Sequence, residues 1–196
     1  MERDEAAFTA FVEERKDSLV NYLTHMTRSR DRAEEIAQDA FVRFYRSGWV
    51  TREDGQLAPY LFRIATNLAI SQLRREKRWQ RLMPFLTARE QRHAPPADRE
   101  LMTDEIRKQV SGALERLPVK FRAPLVLFEI EEWPYEQIAR ALDCRIGTIK
   151  SRISRARALM RRELESWWIG GQDEGQRSWR RVAAPAASDD IASIHI

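Results

Sequence analysis

The chain concentrates its basic side chains in two segments, and each segment could bind nucleic acid. Residues 60–85 contain a single acid, Glu76, among the basic residues Arg63, Arg74, Arg75, Lys77, Arg78 and Arg81. Residues 145–162 contain no acid, and their basic residues are Arg145, Lys150, Arg152, Arg155, Arg157, Arg161 and Arg162. Arginine and lysine donate hydrogen bonds to phosphates and guanine edges, so two such segments favour nucleic-acid binding over an ordinary solvated surface.

Other site chemistries have no support in the residue pattern. His25, His93 and His195 lie far apart and lack the spacing of metal ligands, and no glycine-rich phosphate-binding motif occurs. Cys144 is the single cysteine, which excludes an internal disulfide and fits a reducing cytoplasm. The sequence therefore predicts neither an enzyme nor a cofactor or metal site.

Apolar residues recur at helical spacing along most of the chain, which predicts an all-α protein. Residues 47–58 contain two glycines and predict a loop, and Pro59 is expected in the first turn of the helix that follows. The predicted helices cover residues 4–27, about 31–46, 59–81, a segment ending near 117, 120–130, 134–142 and 147–165.

Composition divides the chain into two small helical domains. Residues 84–104 contain three prolines and no periodic pattern, so they predict a flexible linker between domains at 1–83 and 105–166. Residues 167–196 are rich in Gly, Ala, Ser and Asp and are predicted to be mostly disordered. No apolar run approaches the roughly 20 residues of a membrane span, and no signal-peptide core follows the N-terminus. We expect a cytoplasmic protein without membrane insertion.

Residues 135–164 carry the clearest local pattern, two helices joined by a tight turn. Ile138, Ala139 and Leu142 form a short apolar face, which resumes after the turn at Ile146, Ile149 and Ile153. This spacing fits a helix-turn-helix, whose second helix enters the DNA major groove, although an amphipathic hairpin with a basic outer face would show the same period. The solvent face predicted for the second helix comprises Thr148, Lys150, Ser151, Arg152, Ser154 and Arg155.

The same region resembles domain four of the extracytoplasmic-function (ECF, group IV) RNA polymerase sigma factors of the sigma-70 family. The matching motifs are Leu117-Pro118, YEQIA at 135–139, and GTIKSR at 147–152. Cys144 falls in the turn, where we expect a small buried residue. Many members carry an arginine where this chain has Phe128, so we expect one phosphate or base contact to be absent or moved. The recognition helix and the resemblance together predict contacts to the minus-thirty-five element by Thr148, Lys150, Ser151, Arg152 and Arg155.

An acidic helix in the N-terminal half resembles a second segment of that family. The segment DRAEEIAQDAFVRFYRS at 31–47 is similar to the family's helix that binds the clamp coiled coil of core RNA polymerase. Acids steer the encounter with a basic partner, and exposed aromatics anchor it. The resemblance implies that the polymerase contacts are Glu35, Gln38, Asp39 and Phe41.

The N-terminal basic segment resembles the family's minus-ten helix. The matching sequence is PYLFRIATNLAISQLRREKRW at 59–79. A base must leave the duplex stack to be read singly, which costs a few kcal/mol and requires a pocket and a basic groove. The resemblance implies a pocket formed by the loop 51–58 with Ile64 and Asn67. Phosphate contacts are then expected from Arg74, Arg75, Lys77 and Arg78.

Taken together, the motifs cover about residues 8–164 and imply a sigma factor. Such a protein binds core RNA polymerase and promoter DNA, directs promoter-specific initiation, aids strand opening and is held by an anti-sigma factor. The alternative is a stand-alone helix-turn-helix transcription regulator, whose N-terminal half should be a sensor domain. A further alternative is a protein-interaction module with an inhibitor as its main partner, which would not need two basic segments.

Overall fold

The computed structural model describes residues 2–49, 54–82 and 101–168, and these residues form an all-helical structure, as predicted. Seven helices and no strands occur in these ranges. The helices are α1 (Glu2–Thr27), α2 (Arg30–Arg46), α3 (Asp54–Leu82), α4 (Leu101–Arg116), α5 (Val119–Glu129), α6 (Tyr135–Ala141) and α7 (Ile146–Trp168).

Helices α1, α2 and α3 form the N-terminal unit. The turn between α1 and α2 places Arg28 in the left-handed region (φ 66°), and the Ser29 hydroxyl then accepts a hydrogen bond from the Arg32 backbone N–H at 3.4 Å. This capping satisfies a donor that the first turn of a helix otherwise leaves unpaired. Phe44 is fully buried, and its ring stacks on that of Phe11 with a centroid distance of 5.1 Å. The three helices are therefore held by an aromatic and aliphatic core.

The start of α3 corrects two expectations. The helix begins at Asp54, so residues 54–58 are helical rather than loop, and Pro59 lies inside the helix instead of in its first turn. Leu57 and Leu61 are buried, and burial of a leucine side chain stabilises by about 1.5–3 kcal/mol. That gain exceeds the roughly 1 kcal/mol helix penalty of Gly55. Residues 51–53 of the expected pocket loop lie outside the described residues.

Helices α4 to α7 form the C-terminal unit, and α6 and α7 are joined by the tight turn expected of a helix-turn-helix. Asp143 lies in the left-handed region of the turn (φ 51°), and the Cys144 N–H donates to the Ala139 carbonyl at 3.0 Å. Aspartate tolerates this conformation better than most residues. Ile138, Ile149 and Ile153 are buried on the inner side of both helices, as predicted. Ile146 was also expected in this core face, but it is the first residue of α7 and is 40% exposed.

The two units pack directly against each other. The sequence predicted a flexible linker between two domains and did not predict this contact. Helix α3 contacts α6, and α1 contacts α4 and α5. The rings of Phe62 and Trp133 lie 4.5 Å apart, and the buried side chains of both units belong to one continuous cluster. Helix α4 begins at Leu101, whereas the domain boundary was placed at 104/105. Most of the predicted linker and the predicted tail beyond Trp168 lie outside the described residues.

Candidate nucleic-acid and protein interfaces

The outer face of α7 presents part of the predicted recognition set. Lys150, Ser151 and Arg155 are exposed, whereas Thr148 and Arg152 are half-buried. The Ser151 hydroxyl donates to the Thr148 carbonyl at 2.9 Å, and the Lys150 ammonium lies 5.6 Å from the centre of the Tyr135 ring. Five predicted side chains are thus within the first three turns of one helix, and three of them face solvent directly.

Cys144 is half-buried, not buried as expected. Its thiol donates to the Leu142 carbonyl at 3.2 Å, and its sulfur accepts a hydrogen bond from the Arg152 guanidinium at 3.1 Å. The cysteine lies at the edge of the turn rather than beneath it, because the inner positions are taken by Ile138 and Ile149. Cys144 therefore orients Arg152 at the start of the recognition helix.

Phe128 has a packing role where an arginine is usual in the family. Its ring stacks on Tyr135 at 4.8 Å and holds α5 against α6. The Arg157 guanidinium lies 5.1 Å from the centre of the Phe128 ring and forms an ion pair with Glu129 at 2.6 Å. The Arg157 and Glu129 side chains are only 12% and 17% exposed. Arg157 therefore belongs to the C-terminal basic segment but stabilises the packing of α7 on α5.

Helix α3 carries a continuous basic face. Asn67, Arg74, Arg75, Lys77 and Arg78 are all exposed, and Ile64 is half-buried beside them. The one acid of this segment, Glu76, points to the other side of the helix and pairs with Arg32 of α2. A shallow depression on the basic face is lined by side chains that carry no negative charge, namely Ser71, Arg74, Lys77, Arg78 and Arg81. The arrangement suits a phosphate backbone running along the helix.

Trp79 lies near the end of this basic face. A tryptophan in this sequence context would usually be a packing residue, but the Trp79 side chain is 57% exposed.

Helix α2 presents an acidic face with apolar side chains beside it. Glu35, Gln38 and Asp39 are exposed as predicted, but Phe41 is half-buried and packs against the core. The large exposed apolar side chains of this helix are instead Val42 (48%) and Tyr45 (49%). The apolar period of this helix predicts both Phe44 and Tyr45 on the buried face, but only Phe44 is buried.

Tyr45 directly follows Phe44, so its side chain is turned about 100° around the helix axis from the buried Phe44 side chain. The Tyr45 ring accordingly rests on Phe8, with a centroid distance of 4.8 Å. We did not predict from the sequence that Val42 belongs to the exposed face of α2. Its position beside Phe41 in an acidic helix could have indicated this.

Arg122 was also missed from the sequence, where it stands in the apolar run VKFRAPLVLF. It is buried, and its guanidinium donates to the carbonyls of Met26 and Leu117, each at 3.0 Å, and to the Glu115 carbonyl. Burial, with a smaller contribution from Arg28, lowers the pKa of Arg122 to about 10, so the side chain remains charged at neutral pH. A buried cation requires such acceptors.

Within residues 2–49, 54–82 and 101–168, no three His, Cys, Asp or Glu side chains are grouped closely enough to hold a metal ion. None of the helices in these same ranges has the length and apolar character needed to cross a membrane.

Comparison with known proteins relates both halves to one family. Residues 11–79 match the family model "Sigma-70 region 2", and residues 107–160 match "Sigma-70, region 4". The chain is 30% identical over 170 residues to the RNA polymerase sigma-H factor of Pseudomonas aeruginosa, covering 83% of this chain and 88% of that protein. It is 31% identical over 169 residues to the ECF RNA polymerase sigma factor SigW of Bacillus subtilis, covering 82% and 90% respectively.

A solved structure shares the fold. The sigma factor RpoE of Bartonella quintana, solved in complex with the anti-sigma factor NepR, superposes with a TM-score of 0.67 at 24% identity. The alignment covers 81% of this chain and 97% of that one. Both family regions are thus present, in order, on the helices that carry the basic and acidic faces. The chain belongs to the ECF RNA polymerase sigma factors of the sigma-70 family.

Proposed function

We propose that this sigma factor directs promoter-specific initiation through three separate surfaces: the α7 face for the minus-thirty-five element, the α3 face for the minus-ten element, and the α2 face for core RNA polymerase. The observation that carries the proposal is the presence of two basic faces and one acidic face on the helices that match regions 2 and 4. No single one of these faces would be sufficient, because a basic or acidic helix face is common on protein surfaces.

The α7 face reads duplex DNA. Lys150, Ser151 and Arg155 enter the major groove directly, since their side chains already face solvent. Thr148 and Arg152 join them at the start of the helix, where Cys144 holds Arg152 by its guanidinium. Arginine to guanine is the commonest specific base contact, so Arg155 and Arg152 supply sequence preference while Lys150 and Ser151 position the backbone.

The α3 face binds the minus-ten element as a separated strand. Asn67 offers an amide donor and acceptor for an unstacked base, and Ile64 is the neighbouring apolar wall. Arg74, Arg75, Lys77 and Arg78 follow toward the end of α3 and hold the phosphates.

The α2 face binds core polymerase. Glu35, Gln38 and Asp39 supply the polar contacts, and Phe41 supports them from its half-buried position. The exposed side chains of Val42 and Tyr45 add the apolar anchor that Phe41 provides only in part.

The family assignment argues against the stand-alone regulator. A stand-alone regulator would have a sensor domain in place of sigma-70 region 2, which matches residues 11–79. We infer a non-catalytic, cytoplasmic regulator that acts with polymerase on promoter DNA and requires no cofactor. The presence of NepR in the RpoE complex supports an anti-sigma factor as a further partner of this chain.

Run-off transcription tests the proposal. The full chain is added to purified core polymerase with a pool of promoter fragments from the source genome. New, discrete start sites that depend on the chain are expected, and their alignment gives both promoter elements. Polymerase that neither binds the chain nor gains start sites would overturn the proposal in favour of the stand-alone regulator.

A charge reversal on α2 makes the test specific. Asp39→Lys should weaken the binding of core polymerase at least tenfold, because the acidic face then repels a basic partner. Asp17→Lys is the matched control, since Asp17 is exposed on α1 and the substitution changes the net charge equally. Binding of the full chain to duplex DNA in the absence of polymerase should be alike for both variants. Equal loss of polymerase binding in both would contradict the assignment of α2.

A further inference from the structure

A cleft of about 490 Å³ lies between the N-terminal and C-terminal units. One wall is a single stripe of α3, along which Arg63, Ile70 and Lys77 recur every seven residues. This spacing places their side chains on one face of the helix, over a length of about 21 Å. The opposite wall comes from the start of α5, the helix-turn-helix turn and α7. Clefts of roughly 300–1,000 Å³ between two domains are common binding sites for small molecules.

The cleft carries an excess of positive charge. Its single acid, Asp143, is paired with Arg63 at 2.8 Å. Three further cations line the cleft, and within the part of the chain that the structure describes they form no ion pair: Arg74, Lys77 and Lys120. Cations gathered in one cleft repel each other unless an anion lies between them. The cleft therefore favours a ligand with several negative charges.

Apolar side chains line the cleft beside these cations. Leu73 belongs to the α3 wall, and Pro118 and Pro124 belong to the opposite wall. Asn67 also lines the cleft, and its amide can both donate and accept hydrogen bonds. A nucleobase offers two apolar faces and an edge of donors and acceptors, whereas an inorganic anion would leave these groups unused. The lining thus suits a base as well as phosphates.

The order of these groups along α3 matches the order of the parts of a nucleotide. Asn67 lies two turns before Arg74, which is about 10.5 Å along the helix axis. Lys77 follows Arg74 by a further turn and is exposed like it. A base at Asn67 would leave room for a sugar before the phosphates reach Arg74 and Lys77.

We propose that this cleft binds a nucleoside polyphosphate, with its base between Asn67 and the apolar side chains and its phosphates on Arg74, Lys77 and Lys120. Both units contribute to the site, because Lys120 belongs to α5 and the other polar groups belong to α3. The site does not depend on the proposed role of α3 in binding promoter DNA. If α3 has that role, the nucleotide and a separated strand compete for Asn67, Arg74 and Lys77.

Isothermal titration calorimetry on the full chain without polymerase tests the site. The probes are ATP, GTP and inorganic tripolyphosphate. At least one of the two nucleotides should bind one-to-one and about tenfold tighter than tripolyphosphate, since only the nucleotides use Asn67 and the apolar side chains. Absence of nucleotide binding would overturn the proposal. Equal affinity for tripolyphosphate would also overturn it, because the cleft would then bind any polyanion.

Lys120→Gln locates the nucleotide in the cleft. Lys120 is exposed, so the helix content by circular dichroism should be unchanged, and the loss of one charged phosphate contact should weaken nucleotide binding about fivefold. Arg140→Gln is the matched control, because Arg140 is exposed in the same unit, loses the same charge and does not line this cleft. Its nucleotide affinity should stay within about twofold of the wild type. Equal losses in the two variants would place the nucleotide outside the cleft.

The phosphates of a DNA strand are the other source of the same chemistry. Fluorescence anisotropy with labelled oligothymidine separates the two, since Lys120 lies outside the proposed minus-ten face. Lys120→Gln should change oligothymidine binding by no more than about twofold. A loss equal to that for the nucleotide would show that the cleft holds a DNA strand and would overturn the proposal. Because no polymerase or promoter is used, failure here would leave run-off activity as a separate result.

Discussion

Replacing Arg122 by methionine should destabilise the chain far more than replacing any exposed arginine. The guanidinium donates hydrogen bonds to the carbonyls of Met26 and Leu117. The substitution leaves both carbonyls without this donor. The Glu115 carbonyl keeps a donor, since Arg28 also reaches it, at 2.6 Å. The loss is therefore confined to two buried acceptors.

The magnitude follows from these contacts. A buried acceptor without a partner costs about 1–3 kcal/mol, so two of them cost roughly 4 kcal/mol. The substitution also removes a buried charge, which no longer has to be desolvated. This offsets on the order of 1–2 kcal/mol of the lost stability. We expect a net loss of about 2–3 kcal/mol in the free energy of unfolding. With a urea dependence of about 2 kcal/mol/M, the unfolding midpoint should fall by about 1–1.5 M.

Urea unfolding followed by circular dichroism measures this difference. Arg116→Met is the control, because the Arg116 side chain is 58% exposed and its ion pair with Glu163 is a surface contact worth less than about 1 kcal/mol. A midpoint for Arg122→Met within about 0.2 M of the control would refute the reasoning that the three carbonyls compensate the buried guanidinium.

Three further predictions concern the strand-binding face, the recognition helix and acid stability. Asn67→Ala should reduce open-complex formation about tenfold, measured by permanganate footprinting, with polymerase affinity unchanged. Thr9→Ala, at an exposed polar residue of α1, is the control. A selective loss of polymerase affinity would contradict the role of Asn67. Arg155→Ala should cost about 1–3 kcal/mol of discrimination at one minus-thirty-five position, so an unaltered promoter profile would count against this contact. Burial, and secondarily Arg122, lowers the pKa of His25 below 6.5. Stability should therefore fall as the pH drops below about 6.5 through the folded-state pKa, and His25→Gln should flatten that dependence in urea titrations; an unchanged slope would exclude His25 as its source.

The sequence was sufficient to predict the helices and the chemistry of their outer faces. The period of Ile138, Ile149 and Ile153 reports directly which side of each helix is buried. The basic face of α3 was equally visible, because the single acid among its cations, Glu76, stands at a position that the helix turns toward α2. Local spacing is enough for both inferences.

Features that depend on contacts distant in sequence were not predicted. Residues 54–58 look like a glycine-containing loop, and only the burial of Leu57 makes them helical. Arg122 stands in an apolar run, and one of its buried partners, the carbonyl of Met26, lies 96 residues away in the sequence. The packing of the two units on each other was missed for the same reason, since no local pattern specifies the meeting of Phe62 with Trp133.

The ring contact between Phe62 and Trp133 also has a consequence for unfolding. Because the buried side chains form one cluster across both units, neither unit can melt without exposing apolar surface of the other. Heating the chain should therefore give a single calorimetric transition, whose van't Hoff and calorimetric enthalpies agree. Once the units separate, each has to be stable on its own small core, and the single transition should split into two at lower temperatures.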